Sequence, residues 1–221
     1  MIASVHLAAA GSAMVIRALR RPPAARSQPG LRWAATMLTA PLSRSLVAKP
    51  DLHRIARLAF WDDEQALDAF LASPAAAPLA GGWHVRLAPV RASGDWPGLT
   101  DQPMGDPVDG PAVAVTLGRL RLSQTGRFLR ASARAEAAAL DAPGLLWGLA
   151  LACPPLVATC SAWRDTSALA AYAYRARGHA DAVAAQQRRP FHQRSAFIRF
   201  RPYDSTGALE AGPAPSAAVS G

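Results

Sequence analysis

Apolar residues fall along the chain in strand-length and helix-length blocks, and the blocks recur twice in the same order. Residues 2–7 predict a strand, and residues 14–21 a helix stopped by Pro22-Pro23. After Pro29-Gly30, residues 31–38 are strand-like, and residues 55–61 predict a further strand. Asp62-Asp63 is a helix-start signal; residues 65–71 are helical and end near Ser73-Pro74. Gly81-Gly82 opens residues 83–90, where Trp83, Val85 and Leu87 alternate with His84 and Arg86, the period of a half-buried strand. The order is βαββαβ, the split βαβ of ferredoxin-like domains.

A Gly-, Pro- and Asp-rich stretch from about 91 to 110 reads as a linker, and the plan then restarts. Residues 112–120 predict a strand and residues 126–140 a helix of strong helix formers. Pro143-Gly144 punctuates, residues 145–151 and 157–163 predict strands, Asp165 caps a helix running to about 187, and residues 196–201 close the pattern. Local matches support a duplication. Pro29-Gly30-Leu31-x-Trp33 pairs with Pro143-Gly144-Leu145-x-Trp147. Trp61-Asp62-Asp63 with Ala66-Leu67 and Phe70 pairs with Trp163-Arg164-Asp165 with Ala168-Leu169 and Tyr172. Val85-Arg86-Leu87-x-Pro89 pairs with Ile198-Arg199-Phe200-x-Pro202. The expected fold is α+β: two fused ferredoxin-like halves, 1–92 and 111–205, joined by a linker at 93–110 and followed by a disordered tail at 206–221. Sheet packed on sheet, they would form a pseudo-dimeric α/β barrel with an internal cavity.

Composition narrows the partners. The chain has 221 residues, 51% of them apolar, and a formal net charge of +9 from 24 Lys+Arg against 15 Asp+Glu. Lys49 is the single lysine. The arginines are dispersed, with no basic run interleaved with stacking aromatics, so nucleic-acid binding is not expected. Cys153 and Cys160 fit no zinc spacing and read as reduced, buried thiols. No apolar run reaches the ~20 residues of a membrane span. The apolar N-terminus carries its charges after the apolar stretch, so it reads as strand, turn and helix, not as a signal peptide. The expected location is cytoplasmic.

Five histidines, at 6, 53, 84, 179 and 192, carry the acid/base and ligand chemistry open to the chain. None forms an HExxH or a Ser/His/Asp arrangement, and there is no nucleotide-binding glycine loop. His179 falls on an apolar helical stripe of Leu169, Tyr172, Ala173, Ala176, Ala180 and Val183. Small neighbours let a flat macrocycle approach, and a neutral imidazole can bind iron, which suits an axial heme ligand. A histidine hydrogen-bonded to a carbonyl is the plainer alternative, and Gly178 could end the helix first. The aligned position in the first half is Ala77. Tyr172 and Tyr174 could line the same cavity or simply pack. Arg86 and Arg199, at equivalent strand positions, could pair with propionates or be solvated.

Ser161-Ala162-Trp163-Arg164-Asp165, Ala168-Leu169-x-Ala171-Tyr172-Ala173-Tyr174, Gly178-His179-Ala180-x-Ala182-Val183 and Ile198-Arg199-Phe200-Arg201-Pro202-Tyr203 together resemble the spheroidene monooxygenase family. Ser4-Val5-His6-Leu7, Pro29-Gly30-Leu31 and Ala34-x-Thr36 are similar too. After the long helix the chain departs from the family pattern, with Arg189-Pro190-Phe191-His192-Gln193 where the family tends to carry a Trp-Phe pair and a carboxylate. The resemblance implies an O₂-dependent monooxygenase with heme b that forms a keto group on an acyclic carotenoid. His179 would be the proximal ligand, with Tyr172, Ala176 and Val183 around it. It would need an electron donor such as a ferredoxin, and a basic exterior would suit contact with an anionic membrane surface where such a polyene dissolves. A cofactor-free monooxygenase or dehydratase on the same barrel, and a non-catalytic carrier of heme or an apolar ligand, are the alternatives.

Overall fold

The computed structural model describes residues 1–11, 15–16, 28–99, 110–175, 181, 184 and 188–208. Eight strands appear in it: β1 (Ile2–Ala9), β2 (Leu31–Pro41), β3 (Asp51–Trp61), β4 (Trp83–Gly94), β5 (Ala112–Leu120), β6 (Leu145–Cys153), β7 (Leu156–Trp163) and β8 (His192–Thr206). Three α-helices accompany them: α1 (Glu64–Leu71), α2 (Thr125–Leu140) and α3 (Thr166–Arg175). The strands close into one barrel in the order β1-β3-β2-β6-β7-β5-β8-β4. Each half contributes its strands in the ferredoxin-like order, so the expected pair of fused halves is the architecture found. All neighbouring strands are antiparallel.

The register repeats as closely as the sequence blocks do. Ile2 and Leu31 both stand opposite Trp61, as Ala112 and Leu145 stand opposite Trp163. A one-residue irregularity falls between Leu31 and Trp33 in β2, and another between Leu145 and Trp147 in β6. Each follows a turn built on glycine with positive φ, Gly30 at 72° and Gly144 at 91°. A Cβ on Gly144 would lie 2.7 Å from the Cβ of Ala168, so the turn also needs a bare Cα to approach α3. The helix starts match as well. The Asp63 carboxylate accepts from Ala66 N at 2.9 Å, and the Asp165 carboxylate from Ala168 N at 2.7 Å. Each satisfies a donor that a helix N-terminus leaves open.

Alternation sorts the strand residues onto two faces. One set points inward: Val5, Met37, Leu58, Phe60 and Leu87 from the first half meet Val115, Leu117, Cys160, Ile198 and Phe200 from the second in one apolar cluster. Eight strands enclose about the space that side chains fill. The interior is therefore a packed core, which corrects the expectation of an internal cavity between the sheets. The other set points outward beneath the helices. Trp61, Leu67 and Phe70 pack in one such layer, and Trp163, Leu169 and Tyr172 in the other.

Several elements outrun their expected ends. β3 begins at Asp51, β4 continues to Gly94, and β8 spans His192–Thr206. β4 and β8 pair along ten positions, from His84↔Thr206 to Gly94↔Ala196, so each supports the other beyond what its own apolar pattern announces. Of the helix expected at 14–21 only residues 15–16, which are helical, are described, and of the expected course around 176–187 only residues 181 and 184, also helical; the rest of both segments and most of the tail lie outside the described residues.

Candidate functional site

With the interior filled, chemistry falls to the outer faces, where helices lie over the sheets. In the second half one level crosses the sheet as Ala150 on β6, Thr159 on β7, Thr116 on β5 and Phe197 on β8. All four are half-buried although they sit mid-strand. The equivalent level in the first half is Thr36, Arg57, His6 and His84. There His6 is 2% exposed and Arg57 and Thr36 7% each. The first half thus buries three of its four positions at this level, His84 staying half-buried, whereas in the second half all four are half-buried.

Two unpartnered polar atoms bracket the open face. At one end, the His192 ring lies against Gly118, where a Cβ would collide with it, and between Phe128 and Phe191. Its Nε2 is buried and has no hydrogen-bond partner among the described residues. Burial pushes its pKa down to about 4, so the ring is neutral at pH 7. At the other end Arg199 stands opposite Ala114, and its Nε is likewise buried without a partner among the described residues. Four residues of β5 separate Ala114 from Gly118, roughly 13 Å at about 3.3 Å per residue. Arg86, the counterpart of Arg199, has carboxylates beside it: its Nη2 donates to Asp68 at 2.6 Å, and Asp204 lies 3.1 Å from its Nε, although that Nε, like the one of Arg199, makes no hydrogen bond among the described residues.

Of the residues singled out in the sequence, Tyr172 is on this side of the barrel. Its ring stacks on Trp163, centroids 4.8 Å apart and planes at 24°, and its hydroxyl donates to the Ala135 carbonyl at 3.1 Å. Burial raises the phenol pKa to about 12. Tyr172 therefore packs between α3 and the sheet instead of lining the barrel interior. Tyr174 is 72% exposed and turns to the opposite side of α3. His179, Ala176 and Val183 lie outside the described residues. Cys160 is in the barrel core, its thiol pushed up to about 12 by burial, and the half-buried Cys153 thiol is raised for the same reason. Among the described residues no three His, Cys, Asp or Glu side chains gather into a metal cluster.

The pairing of His192 with Gly118 escapes a reading of the sequence, because it joins the start of β8 to the far end of β5. The buried Arg57 carried a legible signal: it shares a strand face with Ile55, Ala59 and Trp61, all apolar.

No family model matches the chain. Spheroidene monooxygenase of Rubrivivax gelatinosus is 30% identical over 195 residues, covering 83% of this chain and 73% of that protein. Among solved structures, an aldoxime dehydratase in complex with butyraldoxime superposes with a TM-score of 0.53 at 9% identity, over 92% of this chain and 79% of that one. It shares the fold. An anthrone oxidase-like protein reaches a TM-score of 0.38 at 13% identity, over 93% and 92% of the two chains. No described helix is long and apolar enough to cross a membrane.

Proposed function

We propose that this chain, which belongs to the spheroidene monooxygenase family and is an oxygen-dependent monooxygenase, works with heme b on an acyclic carotenoid or a similar apolar polyene. The observation that carries the reading is the half-open outer face of the second half. Its small residues Thr116, Thr159 and Ala150, with Phe197 beside them, are half-buried and would leave a surface for a macrocycle, while at the matching level of the first half His6, Arg57 and Thr36 are buried.

The residues present fit such a group. The unpartnered Arg199 Nε suits a propionate, since a guanidinium beside a carboxylate makes a charge-assisted hydrogen bond. Neutral His192 offers Nε2 as a single polar atom in an otherwise apolar wall of Phe128 and Phe191. His179 is the proposed axial ligand, Ala176 and Val183 are proposed as cofactor-contacting residues on the spacing of the sequence, and Tyr172 fixes α3 against Trp163. Heme, when bound, supplies the oxygen-activating chemistry that the side chains lack. The chain's own residues then orient the cofactor, exclude water and present an apolar wall to the polyene. An electron donor such as a ferredoxin, and delivery of the polyene from a membrane surface, complete the proposal.

The test is an absorption spectrum of protein expressed with heme supply, followed by turnover of an acyclic carotenoid. A Soret band and oxygen-dependent formation of a keto product are expected. Protein that takes up no heme, yet still oxygenates, would overturn the heme assignment.

A further inference from the structure

Arg57 lies at the centre of β3, on the outer face of the first half, and is 7% exposed. His6 on β1 and Thr36 on β2 flank it at the same level, with His84 on β4 beyond His6. Phe70 of α1 covers the group, the Arg57 Cζ standing 4.6 Å from the ring centroid. The nearby carboxylates, Asp68 and Asp204, are held by Arg86. Nε and Nη2 of Arg57 are both buried and have no acceptor among the described residues. These atoms form one edge of the guanidinium, the fork whose two parallel N–H bonds match the oxygens of a planar carboxylate. A buried cation without a partner is among the more costly arrangements a fold can hold.

The second half serves as an internal control. At the places of Arg57, His6 and His84 it carries Thr159, Thr116 and Phe197. The barrel therefore builds this level without any charge, and nothing in the fold requires an arginine there. His6 does not supply a second charge. Trp61 Nε1 donates to Ser4 Oγ, which also bonds His6 Nε2 at 2.9 Å, and burial keeps the imidazole neutral, its pKa lowered to about 3. One positive charge awaits one negative charge.

We propose that the first half holds a small carboxylate, of the size of formate or acetate, on the Nε–Nη2 edge of Arg57 beneath Phe70. The site is separate from the heme face of the other half and does not depend on it. The test compares thermal unfolding of the whole protein in sodium formate and in sodium chloride at matched ionic strength. Formate should give a saturable rise in Tm that chloride does not, and Arg57→Met should weaken the half-saturating concentration by at least tenfold. Line broadening of ¹³C-formate by the wild-type protein, competed by acetate, reads the same site if Arg57→Met does not fold. Equal responses to formate and chloride, an unchanged formate response in Arg57→Met, or broadening that acetate does not compete would overturn the proposal and leave an adventitious ion only.

Discussion

Trp61 and Trp163 fill the same position in the two halves, yet their indole N–H groups reach serines on different strands. Trp61 Nε1 donates to Ser4 Oγ on β1, and Trp163 Nε1 to Ser161 Oγ on its own strand β7, both at 2.9 Å. At the positions equivalent to these serines stand Ala114 and Ala59. The buried donor is kept in both halves, while its acceptor has moved.

Removing either serine leaves a buried indole donor unsatisfied, which costs about 1–3 kcal/mol. Ser4→Ala and Ser161→Ala should each lose stability in that range in denaturant unfolding. The two share no partner, so the double variant should show the sum within about 0.5 kcal/mol. A strongly non-additive result would mean that the halves are coupled through this layer.

Acid should weaken the fold through two histidines. Burial holds His6 at about 3 and His192 at about 4, below the ordinary 6.5. Both are neutral when folded and take up a proton on unfolding, so their full stability is present above pH 6.5 and is lost as pH falls. Each unit of descent removes at most about 1.4 kcal/mol per histidine. A pH series of unfolding free energies should therefore fall between pH 6.5 and 4. His192→Gln should flatten the upper part of that limb.

Helix and strand types, their order, and the duplication were legible because each rests on local signals: Gly30 and Gly144 for the turns, Asp63 and Asp165 for the caps, and period-two alternation in residues 83–90. The lengths of β4 and β8 were not, because residues such as Arg91 and Ser205 earn their strand conformation from the partner strand. The packed interior was not legible either. The outward sets of β1 and β3 are largely buried as well, with Ile2 and Ala8, and Ile55, Ala59 and Trp61, around Ser4, His6 and Arg57, so burial on both faces blurs the alternation that would say which set meets across the barrel. The difference between Arg86, paired with Asp68 and Asp204, and Arg199, unpaired among the described residues, depends on residues distant in sequence.

The proposed heme ligation should separate the histidines. His179→Ala should remain folded by circular dichroism, lose or strongly shift the Soret band, and regain part of it with added imidazole. His192→Ala should keep the band and lower turnover, since its ring faces the site without being the proposed ligand. Retention of the wild-type spectrum by His179→Ala, with loss in His192→Ala, would transfer the ligand to β8.

The equivalent arginines should part company in a heme-transfer assay. Arg199→Ala removes a charge-assisted bond of about 1.5–3 kcal/mol, so heme should pass to a scavenging apoprotein about tenfold faster or more. Arg86→Ala breaks partly solvated ion pairs with Asp68 and Asp204 and should leave the transfer rate unchanged. Equal acceleration in both variants would point to a general loosening of the sheet.

The barrel is closed by two seams of unequal length. β4 and β8 are zipped over ten positions, whereas β2 and β6 meet over four, from Leu38↔Ala152 to Pro41↔Leu149. A closed barrel has no bare edge to recruit another chain, and that protection is only as durable as its shorter fastening. Opening the β2–β6 seam would expose two strand edges while the long seam still held the halves together, like a book opened along one cover. Amide protons of residues 38–41 and 149–152 should then exchange before those of β5 and β7, and two molecules caught open could close on one another as an exchanged dimer.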